Sequence, residues 1–187
     1  MKIQPALITL YSGALSMFGA KVQIAVLEKS LDFDLVMVPY TSAQGYSPKH
    51  PEVLRINPKG QVPVLTHGPI EIFDSTQIFE YLEDLQPHPA LWPRDMALRA
   101  RARRLEHQSD EVYFPHIIRL MGLQKNLGDA LAVSSIAAAT AYYGEMEKLH
   151  AATRGSPRCQ RHGELAACRC APGAGVHGDS RFGLTTQ

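Results

Sequence analysis

Three short stretches of this 187-residue chain combine residue types and spacings that could do chemistry. Asp74-Ser75-Thr76-Gln77 stands ahead of the apolar series Ile78, Phe79, Tyr81, Leu82 and Leu85. Asp74 is a strong helix N-cap, and Gln77 three residues on completes a capping box. A helix N-terminus also offers free N–H groups and the positive end of its dipole to an anion such as a carboxylate. Val62-Pro63 opens a short apolar strand, where the missing N–H of a proline is harmless. Tyr11, Ser12 and Ser16 bring hydroxyls to the break between a strand-like and a helix-like segment; such hydroxyls commonly form turns.

Two other groupings are weaker. Cys168-Arg169-Cys170, with Cys159, His162 and His177, fits poorly the paired Cys-x2-4-Cys spacing of zinc sites, so no metal is expected. Arg99, Arg101, Arg103 and Arg104 interleave with Glu106, Asp110 and Glu111. A mixed-sign helix face reads as a solvated or subunit-contact surface rather than a nucleic-acid site.

The elements that must position these residues follow from periodicity. Ala6–Tyr11 and Phe33–Val38 have the length and composition of strands, and between them Gly19–Lys29 reads as a buried amphipathic helix. A polar loop and a short turn at Glu52–Ile56 follow. Val62–Thr66 and Ile70–Phe73 are strands joined at His67-Gly68-Pro69, a hairpin signal. The capped helix then ends before Pro87. The order β-α-β, then β-β-α, gives a parallel pair by a right-handed crossover plus an antiparallel hairpin, one mixed four-stranded sheet with helices on its faces. Beyond the linker 86–94, Leu98, Ala102, Leu105, Ser109 and Val112 form a helix stripe, with a kink expected at Pro115. Ala130–Leu149 is a second, Ala-rich helix.

Composition bounds the rest. At 45% hydrophobic, 20% charged and net +1, the chain is neither disordered nor collagen-like, and no run approaches the ~18 apolar residues of a spanning helix, so no membrane association is expected. The near-neutral total divides into a net −2 for residues 1–150 and a net +3 for 151–187. All three cysteines and 6 of the 14 glycines fall in the second part. With no signal-like leader and no cysteine among the first 150 residues, a cytoplasmic location is expected.

Val62-Pro63-Val64-Leu65 followed by Asp74-Ser75-Thr76-Gln77-Ile78-Phe79-Glu80-Tyr81-Leu82 resembles the glutathione-site motif of cytosolic, serine-type glutathione S-transferases. Leu10-Tyr11-Ser12, Val22-x-Ile24-Ala25 and Asn57-Pro58 fall where that family has similar residues. The resemblance covers residues 6–122, and 129–149 more loosely. It implies a thioredoxin-like glutathione-binding domain over 1–86 and a partial helical domain over 95–150, with 151–187 as an atypical, poorly ordered tail. The fold class is thus α/β plus all-α.

The resemblance also implies roles. Pro63 is cis in the family, which turns the backbone of Val62 outward to pair with the peptide as an added strand would. Ser75 would take the γ-glutamyl carboxylate, and Asp74 the neighbouring ammonium or a capping role. Gln61 would meet the glycyl end, with Lys59, Gln44 and His50 as further candidates. Ser16 would donate its O–H to the thiolate, with Ser12 and Tyr11 as alternatives. Where thioredoxin relatives carry C-x-x-C, Ser16-Met17-Phe18-Gly19 has no thiol, so thiol–disulfide exchange there is not expected. Tyr113, Phe114 and His116 would face the electrophile, with Ile117 and Met121 on the same helix. The implied activity is conjugation of glutathione, as co-substrate and without any cofactor, to a small electrophile by a homodimer. The Ser-Ser-Cys run of the zeta class is Ser16-Met17-Phe18 here, so that class's isomerase chemistry is not expected. The family's further core helices do not follow Leu149, and an altered end to the chain is expected there. The alternative is a glutathione-binding homologue with little or no catalysis.

Overall fold

The computed structural model describes residues 7–41, 44–47 and 49–154. Strands β1 (Ile8–Gly13), β2 (Phe33–Val38), β5 (Val64–His67) and β6 (Ile70–Phe73) form one sheet in the order β2-β1-β5-β6. β1 pairs parallel with β2, crossing through helix α1 (Met17–Glu28). β5 runs antiparallel to both β1 and β6. Gly68 and Pro69 alone separate the paired His67 and Ile70. A small hairpin, β3 (Tyr40–Thr41) with β4 (Gly45–Tyr46), and helix α2 (Pro51–Ile56) fill the connection between the two halves. This is the thioredoxin-like arrangement implied by the motifs.

Alternation along β1 divides the core. Ile8 and Leu10 join Val22, Ala25 and Val26 of α1 and Ile78, Phe79 and Leu82 of helix α3 (Ser75–Leu85). Tyr11 faces the other way, to Val38, Val53 and Val64 beside α2. Burying each of these large apolar side chains stabilises the fold by about 1.5–3 kcal/mol.

Beyond the linker the chain is helical: α4 (Met96–His107), a π-helical turn (Gln108–Tyr113), α5 (Phe114–Leu123) and α6 (Ala130–Arg154). The expected kink at Pro115 takes the form of that π turn. The N–H of Phe114 reaches back five residues to the carbonyl of Ser109, and Pro115, which has no N–H, then stands in the first turn of α5. α6 continues through Arg154, four residues beyond the expected domain end at 150; residues 155–187, most of the expected tail, lie outside the described residues. Ala132, Ser135 and Ala139 on α6 are buried, at helical spacing, while Leu131, Val133 and Ile136 are exposed. Among the described residues no helix is long and apolar enough to cross a membrane.

Linker and sheet domain are joined by a buried ammonium. Lys29, just past α1, donates to the carbonyls of Gln86 at 2.6 Å and Pro89 at 3.1 Å and pairs with Glu83 at 2.5 Å. Glu83 in turn accepts from the N–H of Leu91 at 3.0 Å, which seats Leu91 and Trp92 on the core. Lys29→Met leaves that carboxylate and both carbonyls without the ammonium, so a loss of about 3 kcal/mol in urea unfolding is expected. A loss below about 1 kcal/mol, the size of an exposed pair, would show that Lys29 does not hold the linker.

Candidate functional site

A cleft of about 500 Å³ lies between the sheet domain and the helical region. Its walls include Asn57, Lys59, Gln61, Val62 and Pro63 ahead of β5, Phe73 to Gln77 at the start of α3, and Glu106, His107, Asp110, Glu111 and Phe114 from the helical side. Phe18 of α1 closes it, its ring edge-on to Phe114 at 4.5 Å.

The loop before β5 is held by one buried side chain. Asn57 donates from Nδ2 to the carbonyl of Gln61 at 2.7 Å and accepts through Oδ1 from the N–H of Lys59 at 3.0 Å. Gly60 makes the intervening turn at φ +58°, where a side chain would be strained. The Val62–Pro63 peptide is cis. Ladder pairing stops at Tyr11 and Val64, and among the described residues no backbone group pairs with the N–H or C=O of Val62. The strand edge is therefore open at Val62, facing the cleft.

Asp74 caps α3 as its residue type dictates, Oδ1 accepting from the N–H groups of Thr76 at 3.0 Å and Gln77 at 3.2 Å. Its backbone sits at φ 75°, unusual for a residue with a Cβ, and strain of this kind gathers at ligand sites. Ser75 beside it is buried at the helix end and lines the cleft. Donors at a helix N-terminus and an open strand edge thus meet in one cavity. This pairing can hold an extended peptide that carries a carboxylate.

The three candidate hydroxyls differ. Ser16 caps α1, its Oγ accepting from the N–H of Gly19 at 2.9 Å, which leaves its own proton for another acceptor. Ser12 is fully buried, with Oγ accepting from Gln23 at 3.0 Å. A Cβ on Gly19 would stand 2.1 Å from that oxygen, so glycine is what lets α1 settle on the end of β1. The ring of Tyr11 lies 4.8 Å from that of His50. None of these three lines the cleft; Phe18, two residues after Ser16, does.

Of the three residues expected to face the electrophile, the cleft receives Phe114. Tyr113 is buried, stacked on Tyr142 at 4.7 Å and donating to Tyr143 Oη at 2.5 Å, and burial raises its pKa above that of a free tyrosine. His116 lies between α5 and α6, 3.5 Å from Ser135 Oγ. Lys59 and Gln61 line the cleft. Gln44 and His50 do not: His50 caps α2, with Nδ1 accepting from Glu52 at 3.2 Å.

The largest surprise is a buried ion cluster behind the cleft. Lys21 of α1, a residue type that normally reaches water, is 3% exposed. Its ammonium donates to Thr76 Oγ1 at 3.0 Å and Asp110 Oδ2 at 3.1 Å, and binds Glu106. Glu106 and Asp110 therefore turn inward, where a solvated face was expected. A signal existed in the sequence: Lys21, Ala25 and Lys29 share one i, i+4 helix row with a core alanine at its centre. The C-x-C group falls outside the described residues, among which no three His, Cys, Asp or Glu side chains are placed to hold a metal.

Comparison with known proteins agrees with this geometry. Residues 10–90 match the family model for the glutathione S-transferase N-terminal domain. The chain is 39% identical over 116 residues to glutathione S-transferase 1 of Dianthus caryophyllus, covering 61% of this chain and 48% of the relative. It is 29% identical over 114 residues to a stringent starvation protein A homolog of Coxiella burnetii, covering 60% and 51%. Among solved structures, a glutathione S-transferase of Methylobacterium radiotolerans in complex with glutathione sulfonate superposes with a TM-score of 0.63 at 26% identity, over 76% of this chain and 66% of that one. The chain thus spans about half the length of the curated relatives it matches.

Burial pushes the Asp110 carboxyl above the ordinary aspartate range; the Lys21 ammonium opposes the shift and Glu106 adds to it. A carboxyl raised by folding holds its proton more tightly in the folded state. Its stabilising contribution is present at low pH and lost as pH rises through the raised value. Asp110→Asn, uncharged throughout, is expected to gain on the wild type in thermal unfolding as pH rises above the ordinary aspartate range of ~4. A stability difference that does not change with pH above that value would contradict the assignment.

Proposed function

This chain belongs to the glutathione S-transferase family, and from that premise we propose that its cleft binds glutathione and passes the thiolate to a small electrophile. The observation that carries the proposal is the meeting of the open edge at Val62 with the donor-rich start of α3 at Ser75. The cysteinyl backbone of the tripeptide would pair with the N–H and C=O of Val62 as an extra strand. Its γ-glutamyl carboxylate would accept from the hydroxyl and N–H of Ser75, with the Asp74 carboxylate near its ammonium. Lys59 and Gln61, which also line the cleft, would meet the glycyl carboxylate.

The thiol then points toward the start of α1. A free thiol has a pKa of ~8.5, which falls at a helix N-terminus that supplies hydrogen-bond donors. Ser16 donates its O–H to the sulfur and stabilises the thiolate without becoming a nucleophile. The sulfur electron pair forms a C–S bond with the electrophilic carbon; a leaving group departs with its own bonding pair, or the electrons move into an activated double bond. Phe18 and Phe114 give the apolar wall against which such a carbon skeleton would lie. Homodimerisation and a cytoplasmic location belong to the same proposal.

A second reading, glutathione binding with little turnover, has its own support. One relative carries the name stringent starvation protein A homolog, and the helical region leaves Ile118, Met121, Leu131, Val133 and Ile136 exposed.

Titration calorimetry with glutathione, alongside turnover of a generic aryl halide, separates the two readings. Binding with turnover supports transfer, and binding alone supports the second. Ser75→Ala is expected to weaken glutathione about tenfold, the loss of one good hydrogen bond. Ser16→Ala is expected to lower turnover about 10²-fold with binding little changed, as when one donor to a developing anion is removed. Full turnover in Ser16→Ala would move the role to Ser12 or Tyr11.

A further inference from the structure

We propose that Lys21 is a positioning residue for peptide binding: its ammonium fixes the helix end that carries Ser16 relative to the helix end that carries Ser75, and ties both to the helical region. This rests on the reading that the cleft holds glutathione. A tripeptide spanning from Ser75 to Ser16 touches two helices with no covalent link shorter than the whole β2-to-β6 stretch. Its fit therefore depends on how those two helices are held together.

Lys21 supplies the direct link. It stands in the second turn of α1, the helix that Ser16 caps. A lysine ammonium has three N–H donors, and here three acceptors from different places surround it: Thr76 Oγ1, Glu106 and Asp110 Oδ2. Thr76 adjoins Ser75 in the first turn of α3, and its own hydroxyl donates to Glu106 Oε1 at 2.6 Å. Glu106 ends α4 and Asp110 opens the π turn, and both side chains line the cleft. The ammonium is buried with each donor committed, so it cannot swing to other partners as an exposed lysine does. It also faces two carboxylates. Without it the wall nearest the γ-glutamyl end would carry two unpaired negative charges, which would repel the carboxylate that Ser75 is placed to accept.

The bland alternative is that the cluster only glues the two parts of the molecule together. A buried ion cluster can be replaced by neutral groups of similar size with little loss of stability, and this separates the two roles. The test uses the full chain with Lys21→Met, Glu106→Gln and Asp110→Asn combined, a variant that leaves no charge in this cluster. It is compared with the wild type in thermal unfolding, in hydrogen exchange of the first-turn amides of α1 and α3, and in glutathione titration. The expected result is near wild-type unfolding, faster exchange in both first turns with β1 and β5 unchanged, and a roughly ten- to hundredfold weaker glutathione Kd, the scale of a small misplacement.

Thr76→Val, which cuts only the link to α3 and leaves Lys21 paired with both carboxylates, is expected to act in the same direction. It serves as the deciding variant should the triple variant fail to fold. Wild-type exchange, or altered exchange with unchanged affinity, would overturn the proposal. If the wild type binds no glutathione, the reading of the cleft fails by itself. Exchange at the two helix ends then decides whether Lys21 positions them.

Discussion

Strands β1 and β6 run in the same direction, and that constraint governs the molecule's chemistry. α1 starts where β1 ends, and α3 starts where β6 ends, so two helix N-termini come to one end of the sheet. β5, antiparallel to both, begins at that same end. Its pairing with β1 stops at Val64, which leaves the backbone of Val62 open between the two helix ends. Helix-end donors for an anion and an unfilled strand edge are thus brought together by topology before any side chain is chosen. Side chains complete this end of the sheet: Asp74 and Ser75 at one helix start, Ser16 capping the other, and Asn57 holding the loop between them.

Much of that end was readable from the residues. The Asp74 cap, the strand at 70–73 and the opening of a strand at Val62-Pro63 follow from local rules that tertiary structure did not override. Other features were hidden because two physical roles share one residue type. A lysine beside an apolar stripe normally extends into water, so nothing local marked Lys21 and Lys29 as buried; only the shared row with Ala25 did. Glu106 and Asp110 looked like part of an exposed mixed-charge face, because their partner lies 85 and 89 residues away in sequence. Tyr113 could not be separated from Phe114 by pattern, since the π turn shifts the face that each presents. Its phenol went to the tyrosine cluster, and Phe114 went to the cleft.

The helical region is where the chemistry is least determined by the fold. α4 and the π turn contribute one wall of the cleft and anchor it through Lys21. α5 and α6 pack on each other along the small-residue seam of Ala132, Ser135 and Ala139. Their other faces expose large apolar side chains, among them Ile118, Met121, Leu131, Val133 and Ile136. In the proposed reading, peptide binding would rest on the sheet domain and one helical wall, and the choice of electrophile on the helices.

The most direct measurement of the central claim is a titration with glutathione followed by amide resonances. Peptide held on the open edge and at the helix end should shift the amide signals of Val62, Ser75 and Thr76 saturably and together, with those of β2 and α6 unmoved. Saturable binding that leaves Val62 and Ser75 unshifted would contradict the claim, placing the ligand elsewhere on the molecule.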